Sequence, residues 1–111
     1  MADMGAMMKI YGLKNCDTCR KALKSLGDAE LIDVRERAVP AEVMEKALAD
    51  FGENLLNRRS TTWRNLSEDD RQGTVAELIA AHPALMKRPL IEAGGQLYLG
   101  WDKAVQAALL G

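Results

Sequence analysis

The stretch that most limits how this chain can fold is its first strand, turn and helix. Met7 to Gly12 is short and apolar around one Lys, and reads as a strand. Leu13-Lys14-Asn15 is a polar turn that delivers Cys16. From Asp17 a helix follows, with Cys19, Ala22, Leu23 and Leu26 on one stripe at i, i+3, i+4, i+7 spacing. Asp17 or Thr18 is expected to cap it and Gly27 to end it. Glu30 to Arg35, with Leu31, Ile32 and Val34, reads as a second strand. Strand, helix and strand in so few residues form a β-α-β unit, a parallel pair with a right-handed crossover.

The rest of the chain extends this unit. Pro40 stands where a helix begins, Val43, Met44, Ala47, Leu48 and Phe51 share one face, and Gly52 closes it. Asn54 to Leu66 is basic and polar and reads as a loop with helical turns. Ser67 with Asp70 has the pattern of a capping box, predicting a helix from there through Val75, Leu78 and Ile79 that stops before Pro83. Arg88 to Ala93 and Gln96 to Leu99 are two strands joined by the hairpin signal Gly94-Gly95. Asp102 caps a last helix carrying Val105, Ala108 and Leu109. The order is β-α-β, then helices, then β-β-α. That is the element order of an α/β, thioredoxin-like fold with a mixed four-stranded sheet and a central helical insertion at about residues 38–86. The 111 residues suit a single domain, with residues 1–6 as a loose tail.

Composition removes several function classes. The net charge of -1 gives no reason to expect direct nucleic-acid binding. No apolar run approaches the roughly 20 residues that span a bilayer. No signal peptide is visible, and two cysteines without one fit a reducing cytoplasm, where thiols are in use rather than stapled. One Cys pair and a single distant His, His82, do not supply four zinc ligands, so no metal is expected. No bound cofactor is expected either. His82 precedes Pro83 at a helix end, where a His more often meets the last carbonyls than acts as a base.

The chemistry concentrates on Cys16. It stands before a helix, whose N–H groups and positive dipole end favour a thiolate. Lys14, Arg20 and Lys21 add positive charge. Cys19, on the apolar stripe, points inward; it is either a resolving thiol for a Cys16–Cys19 disulfide or a small core residue. Trp63 either covers the site or anchors the middle segment, and the anchor is the favoured reading.

Three strings, KNCDTCRKA, RRSTTWR and KRPLI, carry a resemblance. The chain resembles the arsenate-reductase-like branch of the thioredoxin superfamily over roughly Lys9 to Leu110. That branch includes glutaredoxin-coupled arsenate reductases, Spx regulators and YffB-like proteins, and Thr62-Trp63-Arg64 looks closest to the YffB-like group. The resemblance implies that Cys16 is the nucleophile, that Arg88 and a middle-segment Arg, placed at Arg59 or its neighbour Arg58, bind an anion beside Arg20, and that Pro89 is a cis-proline near the thiol. It implies a cytoplasmic thiol oxidoreductase acting on a small oxidised or oxyanion substrate, with glutathione as co-substrate or glutaredoxin as partner. The alternatives are arsenate reduction itself and an Spx-like redox regulator that docks on RNA polymerase. Two departures bear on them. Tyr98-Leu99-Gly100 stands where arsenate reductases of this branch carry a further Arg, and Cys19 stands where they have a small polar residue.

Overall fold

The computed structural model describes residues 8–110. The proposed tail, and Met7 at the start of the first strand, lie outside the described residues. Strand β1 (Met8–Gly12) leads into helix α1 (Asp17–Leu26) and strand β2 (Ala29–Asp33). Helices α2 (Ala41–Phe51), α3 (Thr61–Arg64) and α4 (Val75–Ala81) follow, interspersed with three short 3-10 turns. Strands β3 (Leu90–Ala93) and β4 (Gln96–Leu99) and helix α5 (Lys103–Leu110) complete the chain. The four strands form one mixed sheet in the order β2-β1-β3-β4. β1 and β2 are parallel, with Ile10 opposite Leu31 and Gly12 opposite Asp33. β1 and β3 are antiparallel, with Ile10 opposite Ile91, and Ile91 also faces Tyr98 of the antiparallel β4.

Strand alternation divides the core in two. Ile10 and Ile91 point to one face of the sheet, where they meet Ala22, Leu23 and Leu26 of α1 and Val105 and Leu109 of α5. Tyr11, Leu90 and Leu97 belong to the opposite face, which the helices of the insertion cover with Ala47, Leu55, Leu78, Ile79, Leu85 and Met86. Each fully buried Leu, Ile or Met side chain among them contributes about 1.5–3 kcal/mol of burial free energy. The Gly94-Gly95 turn has positive φ at both residues, +58° and +80°, which suits the tight hairpin between β3 and β4.

Four details differ from the pattern-based expectation. The α1 cap is Cys16 itself, in extended conformation, rather than Asp17 or Thr18. β2 stops at Asp33 because the chain turns there: the Asp33 carbonyl accepts the N–H groups of Glu36 and Arg37. β3 begins at Leu90 rather than Arg88; Pro89 has no N–H to give a ladder. The helix predicted from Ser67 is split. Ser67 Oγ does accept the Asp70 N–H at 3.1 Å, but only a 3-10 turn follows. Gly73, at φ +117°, then breaks the path, and α4 starts afresh with a reciprocal capping box between Thr74 and Glu77.

Candidate functional site

The turn out of β1 places Cys16 at the first orphan N–H groups of α1. Its Sγ accepts the Cys19 N–H at 3.4 Å, and its own N–H is held by the Leu13 carbonyl at 3.1 Å. The residue is half-buried, resting against the core beneath the insertion. Burial pushes the Cys16 thiol up, but the Cys19 N–H and thiol and the positive Arg88 guanidinium outweigh it, so the thiol sits below its ordinary value. Cys19 behaves oppositely. It is fully buried, and burial together with the Cys16 sulfur pushes its thiol up to about 12. Both are free thiols. Cys19 therefore meets Cys16 as a hydrogen-bond donor, and one thiolate is strongly preferred over two.

Arg88 comes from the segment before β3. Its Nη1 donates to the Ala84 carbonyl at 2.7 Å, which orients the fork. Its Nε is buried and has no hydrogen-bond partner among the described residues. The Arg88–Pro89 peptide bond is cis, and Pro89 is fully buried.

The middle segment is stitched to this region through main-chain atoms. Leu56 and Met86 form an antiparallel bridge, the Asn57 N–H donates to the Leu85 carbonyl, and the Lys87 N–H donates to the Leu55 carbonyl, both at 2.7 Å. Arg58 is engaged: it pairs with Glu53 at 2.6 Å and lies 5.6 Å from the Trp63 ring centre. The Arg59 side chain has no hydrogen-bond or ion-pair partner among the described residues. With Lys87, Asn54, Asn57 and Arg58 it lines a polar groove of about 530 Å³. Cys16 and Arg88 do not line that groove. Of the two middle arginines, then, Arg59 is the one available to a ligand, and it opens on a cleft it shares with Lys87.

Arg20 is not directed to the thiol. It pairs with Asp17 at 3.1 Å on the exposed side of α1, a helix-surface contact three residues apart. Lys14 likewise pairs with Glu36 at 3.0 Å. Trp63 anchors: its ring packs on the core of the insertion, and Arg71 lies 5.0 Å from its centre while donating to its carbonyl at 3.0 Å. The His82 N–H bonds the Leu78 carbonyl at the end of α4.

Two residues at the site escape sequence reasoning. Gly12 is one. A Cβ there would overlap Cys19 Sγ, so glycine lets the buried thiol press against the strand. Asp33 is the other, a buried carboxylate that accepts the Lys14 N–H two residues before Cys16. A glycine ending a strand just before a Cys-bearing helix was the available signal for the first. Nothing local marks the second.

A model of the ArsC family matches residues 11–109. The chain belongs to the ArsC family. A Haemophilus influenzae protein described as uncharacterized is 40% identical to this ArsC-family chain, covering 92% of it and 98% of that protein. Among solved structures, a YFFB protein is similar at 32% identity with a TM-score of 0.80, covering 94% of this chain and 99% of that one. An arsenate reductase related protein from Brucella melitensis is 38% identical, with a TM-score of 0.65 and 94% of each chain covered. The ArsC-family protein thus has the arsenate-reductase-like form of the thioredoxin fold. Among its described residues no helix is long and apolar enough to cross a membrane, and no group of three or more His, Cys, Asp or Glu could hold a metal ion.

Proposed function

We propose that this ArsC-family protein is a cytoplasmic thiol-dependent reductase that draws electrons from glutathione, directly or through glutaredoxin. Cys16 is its nucleophile. The supporting observation is the half-buried Cys16 sulfur at the start of α1, with the Cys19 N–H on it and the Arg88 charge beside it.

For a mixed disulfide between glutathione and a substrate thiol, the Cys16 thiolate attacks the glutathione sulfur. A Cys16–glutathione disulfide forms, and the substrate thiolate leaves and takes a proton from water. A second glutathione thiolate then attacks the glutathione sulfur of that disulfide. Oxidised glutathione leaves and the Cys16 thiolate is restored. The helix start and Arg88 stabilise the Cys16 thiolate, which is the nucleophile of the first half-reaction and the leaving group of the second. Arg59 and Lys87 suit the carboxylates of the glutathione moiety. Cys19 stays in the core as a donor to Cys16 and takes no part in the exchange.

Arsenate reduction is a second reading. The buried, unpartnered Arg88 Nε favours it, since an oxyanion beside Cys16 would give that donor an acceptor. Tyr98-Leu99-Gly100, in place of a further Arg, weighs against it. An assay with arsenate, glutathione and glutaredoxin separates the two: turnover no faster than in Cys16→Ser leaves only thiol exchange.

The primary test is titration and labelling of the folded protein. Cys16 should deprotonate below the ordinary thiol value of about 8.5. Iodoacetamide at neutral pH should add one label per folded chain, at Cys16, with Cys19 labelled only after unfolding. A Cys16 that titrates at or above the ordinary value removes the mechanism.

A further inference from the structure

Asp33 is a buried carboxylate that the proposed reaction leaves unused. Only 3% of it is exposed, on the last residue of β2 and directly across from Gly12. Arg35 grips it as a fork: Nε reaches Oδ1 at 3.1 Å and Nη2 reaches Oδ2 at 2.8 Å. The Arg35 N–H adds a third bond to Oδ1, at 2.9 Å. These contacts neutralise the charge in place and hold the carboxyl well below the usual carboxylate range. A fourth bond goes elsewhere. Oδ2 accepts the main-chain N–H of Lys14 at 3.1 Å, from a segment 19 residues earlier in the chain.

That bond pins the turn carrying Cys16. The Val34 N–H holds the Gly12 carbonyl at 2.9 Å, Asp33 holds the Lys14 N–H, and the Leu13 carbonyl holds the Cys16 N–H. Residues 12 to 16 are therefore fixed at three successive points, and the middle one is a side chain. Without it the Lys14 N–H turns to water and the turn gains freedom. The contact from the Cys19 N–H to Sγ, 3.4 Å long, depends on that turn holding the sulfur over the helix start.

We infer that Asp33 is a positioning residue for the Cys16 thiol, acting through the Lys14 N–H rather than through its charge. The inference rests on Cys16 being the working thiol. A role through charge makes a different prediction. A bare negative charge near Cys16 would disfavour the thiolate, so removing it in any variant would raise reactivity.

The test compares Asp33→Ala, Asp33→Asn and wild type, with Val105→Ala on α5 as a destabilised control remote from the turn. Iodoacetamide labelling of Cys16 is followed by mass spectrometry at a pH below the thiol midpoint, where rate tracks the thiolate fraction. Asp33→Ala should label Cys16 about tenfold more slowly, one pH unit of midpoint being a factor of ten. Asp33→Asn keeps an acceptor oxygen for Lys14 and should stay within about twofold of wild type; Val105→Ala should label at the wild-type rate. Folded Asp33→Ala labelling as fast as wild type overturns the inference, and so does Asp33→Asn slowing as much as Asp33→Ala. If Asp33→Ala does not fold, the Lys14 amide can be replaced by an ester in a synthetic 1–15 segment ligated to the rest of the chain at Cys16. That deletes the same hydrogen bond with the carboxylate intact, and should slow labelling equally; an unchanged rate overturns the inference. A wild-type Cys16 that titrates as an ordinary thiol refutes the reductase proposal instead, so the two failures are distinct.

Discussion

Gly12→Ala should be destabilising only while Cys19 carries its sulfur. Gly12 is buried in β1, and its φ is not positive, so alanine meets no backbone strain there. Taken alone, replacing a strand glycine reduces the freedom of the unfolded chain and stabilises by about 0.4–1 kcal/mol. The added methyl, however, would overlap Cys19 Sγ and come 3.3 Å from Cys19 Cβ. Overpacking of this kind costs about 1–3 kcal/mol. The net expectation is a loss of about 1–2 kcal/mol in the wild-type background. In Cys19→Ala the sulfur is gone and only the tight Cβ contact remains, so Gly12→Ala should be within about 0.5 kcal/mol of neutral. The coupling energy is then about 1–2 kcal/mol, a measurable share of a total stability of about 5–15 kcal/mol. Urea unfolding of the four proteins under reducing conditions measures it. Equal costs of Gly12→Ala in both backgrounds would show that the Cys19 sulfur does not press on the strand.

Two further outcomes follow from the structure. Thr74→Ala removes a reciprocal cap from α4 and should lower stability by about 1 kcal/mol, whereas Ser67→Ala, which unties only a 3-10 turn, should cost less than half as much in the same urea assay. Asp33 supplies the pH dependence: its folded carboxyl lies below the unfolded value of about 3.9, so its stabilisation is complete above that value and is lost as pH falls through it towards the folded value. The stability gap between wild type and Asp33→Asn should be flat from about pH 5 to 7 and shrink below about pH 4; an undiminished gap in strong acid would refute the assignment.

Local signals located the elements whose stabilising contacts are themselves local. The stripe from Cys19 to Leu26, closed by Gly27, marks α1 to its observed bounds, because an apolar face and a glycine end are both written in consecutive residues. The cap was harder, since a cysteine in extended conformation does the work usually done by Ser, Asp or Asn. Ser67-Glu68-Asp69-Asp70 looks stronger as a helix start than Thr74, and Gly73 decides between them through its backbone conformation. At the site, the middle arginine could not be assigned from spacing. It takes the Glu53 and Trp63 contacts of Arg58 to show that Arg59 is the unengaged one. Arg20 and Lys14 carry charge near Cys16 in sequence, yet each is neutralised by a carboxylate of its own. Asp33 shows the limit most clearly, because its key partner is a main-chain N–H brought close only by the parallel pairing of β1 with β2.

The bridge between Leu56 and Met86 has a consequence for how such a protein could change its clientele. The groove wall is tied at residues 55–57 to the strip before β3 by carbonyls and N–H groups, which every residue except proline supplies in full. Within that wall Asn57 Oδ1 accepts the Arg59 N–H at 3.0 Å and Arg58 pairs with Glu53, so the Arg59 side chain is the one that can be exchanged without loosening it. Under the proposed thiol chemistry, position 59 is therefore a natural place to graft a different specificity onto the same scaffold.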